Sequence, residues 1–321
     1  MSVSVLPASG GESARPVAVA AAAGRDAGPP FAEGSGTGPE PAPFAARLPA
    51  SSASFAGTTV LIAGGGSGIG LATARMLAGL GARPALLGRD EARLGIAADW
   101  LAASVPGAEV RTYRADVRDE ERLGQVLDEL GTVDHVLVTA GTVAGGPLAT
   151  APREHVADSV EGRLWGGYAV ARTAAPRLGP GSSLTYLSGI YVVRPVAHGS
   201  AVIAAAAATE GLTRALAVEL APRRIRVNAV RAGSVDTPML RRRLLAAVAE
   251  HPAPAAHGAH DDPLTPGGAA GDAAVALAGR TMPLGRYGTA EEVASAAVFL
   301  MANAYVTGTV VTVDGGQSLM G

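Results

Sequence analysis

The segment AGGGSGIG, Ala63–Gly70, joins an apolar run to a stretch with helical spacing, and its residue types suit one kind of chemistry. Glycines at such a turn let backbone N–H groups approach a pyrophosphate, and the first turn of the following helix adds its positive end. A glycine-rich loop alone is weak evidence; here it stands in the strand–loop–helix context the reading requires. Composition closes off other chemistries. The chain has no Cys, which removes thiol nucleophiles, disulfides and thiolate metal sites. It has no Lys either, so all 26 basic residues are Arg, and a guanidinium does not release its proton as an ammonium can. His251, His257, His260, Asp261 and Asp262 are metal-ligand types, but their Ala/Pro/Gly setting offers nothing to fix a geometry, and no metal site is expected.

The elements that must position the loop are legible as alternating runs. TTVLIAGG, RPALLGR, AEVRTYRAD, VDHVLVTAG, SSLTYLSG, IRVNAVRAG and GTVVTVDGG read as strands. Helical stretches separate them, among them DEERLGQVLDELG, HVADSVEGRLWGGYAVARTAAPRLG, EGLTRALAVELA and TAEEVASAAVFLMA. Apolar strands alternating with helices mean βαβ units and a parallel sheet covered on both faces. Residues 1–55 are an Ala/Pro/Gly-rich extension, expected to be disordered because it cannot bury enough apolar surface to offset its ordering entropy. Residues 56–321 form the expected folded domain, with 239–283 as a lid or substrate-loop insert whose middle is rich in Pro, Gly and His. VAVAAAAG lacks the basic start and strong apolar core of a signal peptide. No run is read as reaching the roughly 20 apolar residues that span a bilayer. A net charge of −2 and 17% charged residues give no field that would draw the chain to nucleic acid or a lipid surface. The expected setting is cytoplasmic.

Several further pieces fall in order from about Gly57 to Gly321, and together they resemble the short-chain dehydrogenase/reductase family. Gly64, Gly68 and Gly70 match its glycine pattern, with Ala63 where Thr is usual. ADV at Ala115–Val117, VTAG at Val138–Gly141, RVNAVRAGSVDTPM and VTGTVVTVDGG match further segments, with both Asn positions of the family's NNAG replaced and Arg231-Ala232 in place of Ser-Pro. The resemblance implies a single-domain α/β fold, a three-layer doubly wound Rossmann arrangement on a mainly parallel seven-stranded sheet. It implies cofactor contacts from Gly64, Ser67, Gly68, Ile69 and Gly70, from Asp116 and Val117, from Ala140 and Gly141, and from Gly233, Val235 and Thr237. Arg89 follows the second strand where a carboxylate would accept from a free ribose 2′-OH, so NADP(H) is expected in preference to NAD(H), with Asp90 beside it as a counter-signal. A homodimer or homotetramer is also implied.

The family's Asn–Ser–Tyr–Lys set is not found where the alignment puts it. Arg163, Gly189, Val202 and Ala206 occupy those positions, and without Lys no register slip restores the set. Loss of an acid–base relay forfeits ~10²–10⁴-fold in rate, so substitutes are sought. Arg163 supplies a fixed positive charge that would help bind ribose or an anionic substrate, unless it pairs with Glu161 or a partner subunit. Ser188 lies at the tip of the fifth strand, where a small shift would turn its hydroxyl to the pocket; the alternative is a plain turn residue. Tyr191 offers a phenol from the next loop, or only a pocket wall. His198 has a suitable intrinsic pKa and a surface-loop setting. Arg241–Arg243 reads as a solvated helix face. The residues support an NADP(H)-binding oxidoreductase acting on a small-molecule carbonyl, alcohol or enone through a non-standard acid/base arrangement. The alternatives are a non-redox cyclase, isomerase or dehydratase on the same scaffold, and an inactive nucleotide-binding partner subunit.

Overall fold

The structure, a computed structural model, describes residues 55–141, 146–249, 264 and 266–320. The N-terminal extension up to residue 54 and the His/Asp cluster at His251–Asp262 lie outside the described residues.

Strands β1 (Thr59–Ala63), β2 (Arg83–Gly88), β3 (Arg111–Arg114), β4 (His135–Val138), β5 (Ser183–Gly189), β6 (Arg226–Ala232) and β9 (Val310–Val313) form one seven-stranded sheet in the order β3-β2-β1-β4-β5-β6-β9. Every pairing in it is parallel. The runs read from the sequence as strands are these seven. The central strands are apolar because both their faces are covered: all of β1 (TVLIA) and all of β4 (HVLV) are buried, whereas the edge strands β3 (RTYR) and β9 (VVTV) are partly exposed. Helices α3 (Glu120–Leu130), α5 (Gly166–Ala174) and α6 (Ser200–Leu220) contribute to the core on one face. Helices α1 (Gly68–Gly79), α2 (Glu91–Ser104) and α9 (Ala290–Ala302) cover the other. The core begins one residue before the expected domain start, since Phe55 is buried among α1, β1 and β2 residues.

Strand order reverses between β1 and β4, and in open α/β sheets ligands bind outside the carboxyl ends of the strands at such a switch point. Two elements were not anticipated: the short strands β7 (Val235–Asp236) and β8 (Gly288–Thr289), which pair in parallel beside the cavity. The stretch expected to form one helix around Arg163 is instead α4 (Arg153–Ser159), a π-helical turn over Val160–Trp165, and α5. Gly166 and Gly167 let this segment pack closely: a Cβ on Gly166 would lie 2.6 Å from Val117 Cγ2 in the loop after β3, and one on Gly167 3.3 Å from Tyr186 Cε1 of β5. Helix α6 also corrects the sequence reading, because Ser200–Arg223 is long and apolar enough by composition to cross a bilayer. In the fold it is laid on β5 and β6, with a carboxylate, Glu210, in its buried face.

The insert begins and ends in helices, α7 (Pro238–Ala249) and α8 (Gly268–Gly279). Arg241 is not a solvated face residue. Its guanidinium grips Asp236 through two hydrogen bonds of 2.7 and 2.8 Å and reaches Asp272 of α8 at 2.8 Å, tying the insert to β7.

Candidate functional site

The turn after β1 owes its shape to atoms that leave no room for side chains. Gly64 has φ +92°, and a Cβ there would lie 2.5 Å from Thr139 Oγ1. A Cβ on Gly70 would lie 2.3 Å from the Gly64 carbonyl oxygen, so α1 packs directly against the turn. Thr139, at one of the replaced Asn positions, donates to the carbonyls of Ala63 (3.1 Å) and Gly64 (3.2 Å) and holds the turn to the tip of β4. Ser67 begins α1 without a side-chain cap, which leaves the first N–H groups of the helix uncapped beside the cavity.

That cavity has a volume of about 670 Å³, and every cofactor-contact residue named from the sequence lines it, from Gly64, Ser67, Gly68, Ile69 and Gly70 through Arg89, Asp116 and Val117 to Ala140, Gly141, Gly233, Val235 and Thr237. Arg163, Ser188 and Tyr191 line it too. Asp90, the counter-signal beside Arg89, is engaged elsewhere: it caps α2, accepting from the Arg93 N–H at 3.0 Å. Arg89 makes no ion pair among the described residues. Asp116 is gripped by Arg118 through bonds of 3.0 and 2.7 Å, and this guanidinium holds its carboxyl below the usual aspartate range. His198 is exposed with φ +61° and takes no part in the cavity wall.

The tip of β5 and the π-helical turn also line the cavity. Arg163 is only 8% exposed; one terminal nitrogen donates to the Leu187 carbonyl (3.2 Å), its Nε has no partner, and its guanidinium lies against Gly141. It does not pair with Glu161, whose carboxylate lies 3.5 Å from Arg118. Gly189 leaves a space that Tyr191 fills, since a Cβ on Gly189 would lie 2.3 Å from Tyr191 Cε1 and 2.8 Å from its hydroxyl. The phenol therefore sits where a side chain at 189 would start. Ser188 is turned the other way: 3% exposed, it donates to Glu210 Oε1 at 2.8 Å. The expected swing of its hydroxyl toward the pocket does not occur, because the hydroxyl donates to an acceptor on α6.

Glu210 itself escaped the sequence reading. It is 3% exposed, and Arg231 holds both its oxygens, at 2.8 and 2.6 Å. Burial pushes its carboxyl up, but the bonds from Arg231 and Ser188 outweigh this and keep it below the usual glutamate range. The signal was a charge on the buried face of α6, beside Thr209 and Thr213, together with Arg231 where the family has Ser.

A family model described as Enoyl-(Acyl carrier protein) reductase matches residues 63–256 and 255–318. The chain belongs to the short-chain dehydrogenase/reductase family. It is 34% identical over 284 residues to the short-chain dehydrogenase/reductase ATR9 of Stachybotrys chlorohalonatus, covering 82% of this chain and 98% of that relative. Among solved family structures, it is similar to an NADPH-bound short chain oxidoreductase of Pseudomonas aeruginosa PAO1, described as containing an atypical catalytic center. The TM-score is 0.70 at 28% identity, over 82% of this chain and 98% of that one. It is also similar to the MalC reductase/Diels-Alderase of Malbranchea aurantiaca, with a TM-score of 0.70 and 29% identity over 83% and 98% of the two chains.

Within this family fold, removing one partner of the buried pair strands the other charge. Arg231→Ala leaves the buried Glu210 carboxylate unpaired and should destabilise by about 3–5 kcal/mol, whereas Glu210→Ala leaves a partly exposed Arg231 and should cost less. The double variant should lose much less than the sum, as measured by urea unfolding at pH 7. Strictly additive losses would contradict the pairing. Because the pair lowers the folded-state pKa, Glu210's contribution is complete above its ordinary value of 4.5 and is lost as the pH falls below that, through the folded pKa.

Proposed function

We propose that this chain is an NADP(H)-dependent oxidoreductase of small-molecule carbonyls, alcohols or enones, in which Tyr191 and Arg163 stand in for the family's missing relay. The observation that carries the proposal is the phenol of Tyr191 lying over Gly189, on the cavity wall where the family's Ser would project. When bound, reduced nicotinamide supplies a hydride to the carbonyl or enone carbon. The uncapped start of α1 and the glycine turn would hold the pyrophosphate, and Arg89 would pair with the 2′-phosphate. As negative charge develops on the substrate oxygen, Tyr191 gives it the proton of its hydroxyl, leaving a phenolate that solvent reprotonates. Arg163 contributes a fixed charge to that wall and cannot be the acid, because it keeps its proton. Ser188, committed to Glu210, acts as part of the wall.

A second reading, non-redox chemistry such as a cyclisation in the same cavity, draws support from the likeness to a protein described as both reductase and Diels-Alderase. There the cavity would act by orienting one reactive substrate.

Two outcomes test the proposal. Tyr191→Phe should lower turnover by ~10²–10⁴-fold and leave NADPH affinity unchanged. Gly189→Ala should do the same by displacing the ring, with little change in melting temperature. Turnover near wild type in both would remove the phenol from the chemistry. In parallel calorimetric titrations, NADPH should bind at least about ten-fold tighter than NADH, a difference of ~1.4 kcal/mol that Arg89→Gln abolishes. Equal affinities for the two in the wild-type protein would contradict the role given to Arg89.

A further inference from the structure

Two arginines in this fold are equally buried, and they are satisfied very differently. Arg226, 8% exposed, donates to the carbonyls of Leu300 and Met301 near the end of α9, where a cation is favoured by the unpaired carbonyls and the helix dipole. Arg163, also 8% exposed, has one bond to a backbone carbonyl and an Nε without a partner. No carboxylate lies within ion-pair distance of it among the described residues; the nearest acid in sequence, Glu161, faces Arg118. A guanidinium withdrawn from water without a counter-charge is expensive, and folds tolerate it where a ligand completes the site. Arg163 and Tyr191 line the same cavity and both are tied to the β5 tip: Leu187 accepts the bond from Arg163, and Gly189, two residues on, lies beneath the phenol. Gly141 leaves the guanidinium its place, since a Cβ there would lie 3.3 Å from the guanidinium carbon.

We infer that Arg163 receives an anionic group of the substrate, a carboxylate placed near the reacting carbonyl as in a 2- or 3-oxo acid. This rests on the reading of the cavity as a cofactor and substrate site. The phosphates of the cofactor are assigned to other groups, the glycine turn and Arg89. The pairing gives the substrate one orientation: carboxylate to Arg163, carbonyl oxygen to the Tyr191 hydroxyl.

The test uses formate as the anion probe and Arg163→Met, which keeps the length of the side chain and removes its charge. At constant ionic strength, formate should raise the melting temperature of wild-type protein, with or without saturating NADPH, and should not raise that of the variant. Without formate, Arg163→Met should melt about 2–4 °C higher than wild type, because an unpaired buried charge is gone. In the NADPH complex, a 3-oxo acid should bind at least about ten-fold tighter than its methyl ester, a preference the variant loses. An equal formate effect in both proteins, no effect in wild type, or an effect abolished by NADPH would overturn the inference. So would a variant that melts lower than wild type, since Arg163 would then be a structural residue satisfied by Leu187. Failure of NADPH to bind, with the Arg163-dependent formate effect intact, would remove the cofactor reading and leave the anion site standing.

Discussion

The close meeting of three backbones at Gly64, Gly70 and Thr139 is the constraint on which the cavity depends. At Gly64 and at Gly70 a Cβ would fall within 2.5 Å of a neighbouring heavy atom, so only glycine permits α1 to start flush against the tip of β4. That contact aims the start of the helix at the switch point between β1 and β4, and it fixes where an anion can sit relative to β5. The tips of β4 and β5 are held side by side by the ladder that pairs Val138 with Tyr186, and Arg163 and Tyr191 are built upon them. Placement of the chemistry is thus a consequence of strand register more than of any loop.

The chain also shows how a scaffold absorbs the loss of its usual side chains. Ala206 and Val202, both buried on α6, give that helix a smooth inner face, and Gly189 strips the strand tip. Into the vacated surroundings come an arginine from the π-helical turn and a phenol from the loop after β5. Deeper, Ser188 and Arg231 both donate to Glu210, and Arg231 continues to Thr312 at the partly exposed end of the network. A buried charge held by an opposite charge rigidifies a site, as at Glu210, whereas Arg163 is withdrawn from water with one backbone bond and no counter-charge among the described residues.

Much of this was legible in the residues. The central strands were visible because parallel strands buried on both faces are apolar runs, and the cavity-lining set followed from the resemblance to the family, carried by the glycines and the order of its segments. What escaped was whatever depends on contact between distant segments. Nothing local in SGIY says that the Tyr191 ring folds back over Gly189, or that Ser188 faces α6. The π-helical turn at Val160–Trp165 was read as plain helix, since its periodicity differs by less than a residue per turn. Glu210 lay in plain view on an apolar face, but its partner is 21 residues away in sequence and could be found only by asking what a buried carboxylate must pair with.

The account is tested most directly by following the hydride itself. NADPH carrying deuterium at the transferable C4 position would be incubated with the protein and a panel of oxo acids and enones, and products read by mass spectrometry. The account predicts one deuterium on the carbon that was carbonyl or alkene, with one NADPH consumed per product. Product formed without deuterium, and without consumption of NADPH, would contradict it and make the cavity a site of non-redox chemistry.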